Sequence, residues 1–247
     1  MINLSKKNIR EKEFHDKLQS SPSGRFENIF YRAIVNAWED FYHYLSFNVK
    51  NTDVLDYGCG VGPVIEKVLK FNPNKITGID ISKVSIEKAK AKFIKFGSNI
   101  ELLVDNCEKT KFEDSKFDLV YGQGILHHLE ISRCIFEISR ILKPGGKLLF
   151  IEPLGTNPLI NFYRSLTPHA RSKDEHPLIF KDFDIIKKKF NITDLKFYGF
   201  LTLIFFPLYK SSSSKIFKIL TRLDQLLFRL KFFKYFAWSV LITARKN

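Results

Sequence analysis

The chain has 247 residues, of which 45% are hydrophobic, and its formal net charge is +14. This length suits one α/β domain with a few added elements, and the apolar share excludes a wholly disordered chain. The positive charge favours an anionic partner such as nucleic acid, an anionic membrane or an anionic substrate. A lysine-rich surface that contacts only water explains the charge equally well.

The three cysteines, Cys59, Cys107 and Cys134, are odd in number and form no C-x-x-C pair. This pattern argues against a disulfide framework and a zinc site, and we expect no bound metal. A reducing compartment, the cytoplasm, fits best. The first residues contain no apolar segment of secretory length, and the longest apolar run, residues 199–209, is too short to span a bilayer as a helix.

Helical spacing of apolar residues predicts helices over residues 11–19 and 28–47, with a loop at 20–24 between them. Strands and helices then alternate. The predicted strands cover residues 53–57, 75–80, 100–104, 117–121 and 147–152, and the predicted helices cover residues 63–70, 82–96 and 131–142. This alternation is typical of a parallel sheet with helices on both faces.

The alternation ends after residue 152. A loop-rich stretch with four prolines follows, and then a predicted helix at 181–190, a strand at 195–203, a helix or helix pair at 215–236 and a closing strand at 238–244. We interpret residues 1–247 as one domain. It comprises an N-terminal helical cover at 1–50, a core at 51–153, an inserted lid at 154–180 and a helical insertion at 204–236.

The stretch "VLDYGCGVGP" is a strand that runs into the glycines Gly58, Gly60 and Gly62. Such turns often bind part of a nucleotide. No Lys-Ser or Lys-Thr follows, which excludes a triphosphate loop, and the G-x-G-x-G spacing departs from the G-x-G-x-x-G of dinucleotide folds. The glycine spacing alone does not select the ligand.

Charge selects it. Asp56, just before the turn, would repel a pyrophosphate but attract the ammonium and sulfonium groups of S-adenosylmethionine, which has no phosphate. Asp80 ends the next strand, where a carboxylate can accept both ribose hydroxyls. Asp105 and Asn106 follow the third strand, where an adenine edge would lie.

Five stretches resemble the class I S-adenosylmethionine-dependent methyltransferases, in the order in which that family has them: "VLDYGCGVG", "ITGIDIS", "LLVDNCE", "FDLVYGQGILHHL" and "LKPGGKLLFIEP". They cover about residues 52–153, and the chain is most similar to the small-molecule, methyltransferase type 11 branch. The resemblance implies an α/β, Rossmann-like, mostly parallel seven-stranded sheet of order 3-2-1-4-5-7-6. Strand seven is antiparallel, and 195–203 and 238–244 become strands six and seven.

The resemblance also implies S-adenosylmethionine as the cofactor. The residues it assigns to the cofactor are Asp56, Gly58, Cys59, Gly60, Gly62, Asp80, Ile81, Asp105, Asn106 and Gln123. Within this set, Gln123 follows the fourth strand, near the methyl donor.

Three histidines are the catalytic candidates. His127 and His128 follow the fourth strand, where the family often has the same pair, so a packing role is an alternative. His176 lies in the lid, which also holds His169 and the acceptor-binding candidates Arg164, Arg171 and Glu175. The arginines suggest a carboxylate or phosphate on the acceptor. A solvated linker is the alternative interpretation of this polar segment.

The helix predicted at 215–236 is amphipathic. Its apolar stripe comprises Ile216, Ile219, Leu220, Leu223, Leu226, Leu227 and Leu230, and its basic residues are Lys215, Lys218, Arg222 and Arg229. A basic amphipathic helix can lie on an anionic membrane, which would place the protein peripherally at that surface. An insertion packed on the sheet is the other interpretation.

These features favour a methyltransferase for a small or lipid-linked acceptor, with oxygen preferred as the accepting atom. One alternative is an RNA methyltransferase, which only the net charge supports. The sequence after strand four, Gly122-Gln123-Gly124-Ile125, lacks the Asn-Pro-Pro-Tyr type turn of enzymes that methylate base amines, and we therefore do not expect a nucleic-acid partner. The other alternative is a non-catalytic protein that binds S-adenosylmethionine at a membrane. The oligomeric state stays open.

Overall fold

A seven-stranded sheet forms the centre of the computed structural model, which describes residues 4–20, 29–97, 99–168 and 171–247. The strand order is β3-β2-β1-β4-β5-β7-β6. β7 runs antiparallel to both β5 and β6, and the other neighbouring pairs are parallel. The predicted fold class and strand order are confirmed. His169, most of the loop predicted at 20–24 and the start of the helix predicted at 28–47 lie outside the described residues.

The strands are β1 Asp53–Tyr57, β2 Lys75–Asp80, β3 Ile100–Val104, β4 Phe117–Gln123, β5 Leu142–Pro153, β6 Phe190–Tyr198 and β7 Ser239–Lys246. The α-helices in the described part of the chain are α1 Lys6–Ser20, α2 Val35–Asn48, α3 Pro63–Val68, α4 Lys83–Phe93, α5 Ile131–Ile141, α6 Pro158–Leu166, α7 Asp182–Lys187, α8 Leu201–Ile204 and α9 Lys215–Leu227. Short 3-10 turns occupy Ile29–Ile34, Leu69–Phe71, Leu126–His128, Phe206–Leu208 and Phe233–Phe236.

Two buried clusters cover the two faces of the sheet. One packs α5 and α7 against residues such as Leu55 and Phe150, and the other packs α2, α3 and α4 against residues such as Val54 and Leu149. Neighbouring residues of β1 and of β5 therefore enter opposite clusters, as the two-residue period of a strand dictates. Strands buried on both faces read as continuous apolar runs, which is why β1, β4 and β5 were predictable from sequence.

The sixth strand differs from the prediction. It covers Phe190–Tyr198 rather than 195–203, and the residues after it form α8. Gly199 ends the strand with φ +82°. The buried carboxylate of Asp224 then accepts N–H bonds from Phe200, Leu201 and Thr202 at 3.3, 2.6 and 3.3 Å. A carboxylate on the first amides of a helix stabilises that helix, so the apolar run cannot continue as strand.

The late helix is also shorter than predicted. α9 begins after Ser214, whose Oγ accepts the N–H of Phe217 at 3.1 Å, and it ends at Leu227. The aromatic residues that follow pack around the ring of Phe200, with centroid distances of 6.5 Å to Phe228, 5.8 Å to Phe233 and 5.3 Å to Phe236. No helix in the described part of the chain has the length and hydropathy needed to cross a bilayer.

The carboxyl ends of β1 to β4 lie at one edge of the sheet because these strands run parallel. Asp56, Asp80 and Gln123 belong to the last two residues of β1, β2 and β4, and Asp105 directly follows β3. Polar side chains that are far apart in sequence therefore converge at this edge, as ligand-binding residues do in open α/β sheets.

Candidate cofactor and acceptor site

The glycine turn after β1 is fastened to the end of β2. The N–H groups of Gly58 and Cys59 both donate to the carbonyl of Ile79, at 2.9 and 2.8 Å. A Cβ added at Gly62, where φ is +79°, would lie 2.4 Å from the ring of Phe93. At Gly60, where φ is +53°, a Cβ would meet nothing within 4 Å. The turn thus needs glycine for its backbone and borders open space at Gly60.

Asp56 presents a buried carboxylate to this turn. The residue is 2% exposed, and its Oδ2 has no hydrogen-bond partner among the described residues. Burial raises the pKa of Asp56 well above its usual range, the nearby Asp80 raises it further, and Tyr121 offsets part of the rise. A buried carboxylate oxygen without a partner is costly, and a cationic ligand would relieve that cost.

Asp80 fixes the turn from the other side. Its Oδ2 accepts the N–H of Gly60 at 2.9 Å, and its Oδ1 accepts the N–H of Ser82 at 2.8 Å. Burial raises the pKa of Asp80, and these two amides counteract that rise. Each carboxylate oxygen keeps a further lone pair, so the group can still accept hydroxyl donors. Ile81 follows it and is half-buried.

Asp105 and Asn106 are both buried after β3, and their side chains bind the local backbone. Asp105 accepts the N–H of Asn106 at 2.9 Å and the N–H of Lys111 at 3.0 Å, and Asn106 Oδ1 accepts the N–H of Glu108 at 2.9 Å. These bonds give both residues a role in shaping the loop. Their contact with adenine stays a prediction.

Gln123 ends β4, and its Nε2 is a buried donor without a hydrogen-bond partner in the described part of the chain. The phenol of Tyr42 from α2 lies beside it, and burial raises the pKa of that phenol while Gln123 lowers it. Nε2 of Gln123 and Oδ2 of Asp56 thus place a donor and an acceptor at the ends of adjacent strands.

The turn Leu126–His128 is held by Glu152, a fully buried residue of β5. Its Oε1 accepts the N–H groups of Ile125 and Leu126, both at 2.9 Å, and its Oε2 lies 2.8 Å from Nδ1 of His127. Burial lowers the pKa of His127, and the Glu152 carboxylate counteracts that effect. Sequence reasoning missed Glu152 although "FIEP" was one of the stretches that matched the family.

α1 covers the carboxyl edge of the sheet. Its Glu11 accepts a hydrogen bond from the hydroxyl of Ser172, and Oε2 of Glu11 lies 3.0 Å from Nδ1 of His128. Farther along the helix, Asp16 accepts the hydroxyl of Ser82 at 2.5 Å. Burial would raise the pKa of Glu11, but His128 and Ser172 outweigh it and lower that pKa.

Sequence reasoning also missed Glu11 as a site residue. The helical spacing predicted α1 but does not show which polar residues of such a helix turn inward. The signal available was the position of a helix with acidic and histidine residues directly ahead of the cofactor core.

The lid carries two arginines on one side of α6. Arg164 donates to the carbonyl of Leu154 at 2.8 Å, and burial together with the nearby Arg171 lowers the pKa of Arg164 to about 10. Arg171 donates to the carbonyls of Arg164 and Thr167 at 3.1 and 3.2 Å. Glu175 lies 3.8 Å from Nε of Arg171. The structure therefore brings Arg164, Arg171 and Glu175 together.

His176 is oriented differently from the other two catalytic candidates. Its backbone N–H donates to the carbonyl of His127 at 2.6 Å, which joins the lid to the turn after β4. Its side chain is 54% exposed and lies 3.4 Å from Asp182. The rings of His127 and His128, in contrast, are buried with centroids 4.1 Å apart.

Comparison with known proteins identifies similar methyltransferases. Residues 55–150 match a family model described as a methyltransferase domain. The chain is 34% identical over 111 residues to a sterol 4-C-methyltransferase of Caenorhabditis elegans, covering 44% of this chain and 33% of that protein. It is 32% identical over 164 residues to a tRNA U34 carboxymethyltransferase of Nautilia profundicola, covering 60% and 53%. The chain thus spans a third to about half the length of these two curated relatives.

Among solved structures, the fold is similar to that of a geranyl diphosphate C-methyltransferase from Streptomyces coelicolor A3(2). The TM-score is 0.68 at 14% sequence identity, and the alignment covers 99% of this chain and 100% of that chain. At this identity the likeness concerns the fold.

The Glu152 contacts generate a stability prediction. Replacing Glu152 by Ala leaves buried amides and the His127 ring unpaired, so we expect the free energy of unfolding to fall by about 3–5 kcal/mol, the range for breaking a buried charged pair. Urea denaturation measures this change in the free energy of unfolding. As a control, Glu87→Ala removes an exposed carboxylate 3.6 Å from Lys83 and should change stability by less than about 0.5 kcal/mol. Equal effects of the two substitutions would contradict the role given to Glu152.

Proposed function

We propose that this chain is a class I S-adenosylmethionine-dependent methyltransferase that transfers a methyl group to a small or lipid-type acceptor, because residues 55–150 match a methyltransferase domain and the fold is that of a solved methyltransferase. The observation that carries this proposal is the unpartnered Oδ2 of the buried Asp56 beside the open space at Gly60. A carboxylate there suits a cationic amino-acid group and disfavours a pyrophosphate.

The residues of the turn fit the cofactor. Asp56 would hold the ammonium, with Gly58, Cys59, Gly60 and Gly62 forming the backbone around it. Asp80 would accept the ribose hydroxyls, Ile81 would contact the nucleoside, and the loop of Asp105 and Asn106 would border adenine. Gln123 would offer its free Nε2 near the methyl donor.

The cofactor supplies an electrophilic methyl group and leaves as a neutral thioether, so the protein needs no acid for the leaving group. The chain then has to align the acceptor with the methyl group and exclude water, and alignment can lower the activation free energy by several kcal/mol. An acceptor oxygen would in addition need a base. His127, His128 and His176 remain the candidates for that role, and oxygen as the accepting atom remains a prediction.

Arg164 and Arg171 support an acceptor with an anionic group. Burial lowers the pKa of Arg164 to about 10, and the guanidinium is hydrogen-bonded to neutral oxygens of Leu154 and Asn161 rather than to a carboxylate. A desolvated guanidinium of this kind has a strong preference for an added carboxylate or phosphate. The structurally similar protein from Streptomyces was solved with geranyl diphosphate, which is apolar at one end and anionic at the other.

A membrane-facing surface supports a lipid-type acceptor. On α9 the residues Phe217, Leu220 and Asp224 are buried, whereas five apolar residues of α9 and the turn after it are exposed. The exposed residues are Ile216, Ile219, Leu223, Leu226 and Leu230, with exposed fractions between 42% and 59%. Most of the apolar stripe thus faces away from the fold. This favours the membrane interpretation of the helix over an insertion packed on the sheet.

Charge and neighbouring elements extend this surface. Exposed basic residues that form no ion pair within the described residues are Lys215, Lys218 and Arg222 of α9 and Arg229 just after it. The ring of Phe30 contacts both Tyr163 of α6 and Phe206, at 5.5 and 5.2 Å. Phe30 thus joins α6, which carries Arg164, to the turn Phe206–Leu208, and both α6 and the 204–208 segment have exposed apolar residues. An anionic bilayer is the partner that matches exposed apolar residues flanked by cations.

Two alternatives remain distinguishable by experiment. The tRNA-modifying relative and the net charge of +14 favour an RNA methyltransferase. The proposed cofactor site, covered by α1, would also suit a protein that binds S-adenosylmethionine without turnover. Salt-sensitive RNA binding would support the first alternative, and cofactor binding with no methylated product from any extract would support the second.

Cofactor choice gives a prediction. Isothermal titration calorimetry should show binding of S-adenosylmethionine and not of NAD, since Asp56 repels a pyrophosphate. Asp80→Ala should weaken cofactor binding by about 1–3 kcal/mol, the range for losing a charged hydrogen-bond partner. Asp184→Ala, at an exposed position of α7, is the matched control and should leave the affinity unchanged. Tight NAD binding without a response to S-adenosylmethionine would refute the proposal.

The acceptor residues give a second prediction. Labelled methyl transfer into a metabolite and lipid extract, followed by mass identification, should yield a product in wild type. Arg171→Ala, Arg164→Lys and His176→Ala should reduce product formation and leave cofactor affinity nearly intact, because these residues lie in the lid. Lys173→Ala, an exposed change in the same segment, should affect neither. Loss of cofactor binding in a folded lid variant would show that the lid is placed wrongly.

The surface of α9 gives a third prediction. The protein should sediment with anionic vesicles and not with neutral ones, since each basic residue near such a surface contributes about 1 kcal/mol, an effect that salt weakens. Changing Lys215, Lys218, Arg222 and Arg229 to Glu should release it and leave cofactor binding unchanged. Changing Lys83, Lys90, Lys92 and Lys95 to Glu alters the net charge equally and should not release the protein from anionic vesicles.

The vesicle assay also separates the alternatives. Wild type that ignores anionic vesicles at low salt but binds RNA would assign the charge to nucleic acid. Wild type that binds neither would leave α9 as part of the fold alone.

A further inference from the structure

Three donor groups meet between α1 and the turn after β4. Glu11 and His15 are four residues apart on α1, so they lie on one face of the helix. His128 approaches from the turn Leu126–His128. Oε2 of Glu11 lies 3.0 Å from Nδ1 of His128 and 3.8 Å from Nε2 of His15. One donor atom of each residue lies within 4.8 Å of the other two.

Two of these donors are buried and face each other. Glu11 is 4% exposed and His128 is 3% exposed. Neither Oε2 of Glu11 nor Nδ1 of His128 has a hydrogen-bond partner among the described residues, although the two atoms face each other at 3.0 Å. The two groups form a close ion pair whose geometry leaves both atoms without an aligned hydrogen bond, and a metal ion bound by both atoms would satisfy them.

We propose that Glu11, His15 and His128 bind one divalent first-row transition-metal ion. Two imidazoles and one carboxylate are the donor set that iron(II), cobalt(II) and zinc(II) accept, whereas magnesium and calcium prefer oxygen alone. Donors bound at about 2.1 Å to one ion lie about 3.0–3.5 Å apart, and Oε2 of Glu11 lies 3.0 Å from Nδ1 of His128 and 3.8 Å from Nε2 of His15. The cysteines, on which the sequence-based expectation of no metal rested, take no part in the site.

A neighbouring set of donors is less suitable. His127, His128 and Glu175 also bring their donor atoms within 4.8 Å of one another. Nδ1 of His127 is already bonded to Glu152, and Glu175 is paired with Arg171. The site therefore uses the face of His128 that is turned toward α1.

The ion would fasten α1 over the cleft, since α1 supplies two of the three ligands and the sheet edge supplies the third. Arg10 already binds Asp174 of the lid through two hydrogen bonds, at 2.7 and 2.8 Å. Metal binding would thus connect α1, the lid and the turn after β4. This inference does not depend on methyl transfer.

Cobalt(II) titration of chelator-treated protein tests the site. Wild type should bind a single ion per chain and show visible d–d absorption. Glu11→Gln and His15→Ala should each weaken binding by more than about 100-fold, since loss of a mere partner of a ligand already costs roughly 10–100-fold. His43→Ala, at an exposed position of α2, is the control and should bind like wild type.

Two further measurements complete the test. Zinc(II) should slow hydrogen exchange of residues 6–20 in wild type and not in Glu11→Gln, and circular dichroism should show that both proteins are folded. Cobalt(II) binding by wild type that is no tighter than binding by Glu11→Gln and His15→Ala would overturn the proposal. Binding that survives Glu11→Gln but is lost in Glu175→Gln would overturn the assignment to these three residues.

Discussion

The buried carboxylate of Asp56 is the constraint on which the site depends. The sheet holds this group at the end of β1, where burial and the nearby Asp80 disfavour its charge, and no described residue bonds to its Oδ2. A fold tolerates such a group when a ligand completes it. The surrounding features follow from that requirement. The glycine turn leaves space beside it, and Asp80 fixes the turn through the N–H of Gly60.

A second constraint concerns access to this edge of the sheet. The turn after β4 carries buried polar groups, and carboxylates from two different elements meet them: Glu152 of β5 on one side and Glu11 of α1 on the other. A hydrogen bond from the hydroxyl of Ser172 to Glu11 also joins the α1 cover to the lid.

The sequence predicted the sheet and its strand order, because the apolar strands and the polar residues that follow them indicate the same fold. Asp56 and Asp80 were chosen because a carboxylate before the glycine turn suits a cation and one at the end of the next strand suits ribose hydroxyls, and their contact with the cofactor stays a prediction. The run after Tyr198 was predicted wrongly because its apolar residues suit either a strand or a helix, and the decision comes from Asp224, which lies 22 residues after Thr202. Glu11 and Glu152 were missed because a single strand or helix does not show which carboxylate is buried by a distant element.

The most direct test is the number of protons exchanged when S-adenosylmethionine binds, measured by calorimetry at mildly acidic pH in buffers of different ionisation enthalpy. Since burial raises the pKa of Asp56, a cationic ligand beside it should favour the charged carboxylate and drive release of a proton. Wild type should release more protons than Asp56→Asn and bind more tightly. Equal affinity and equal proton release in the two proteins would contradict the account.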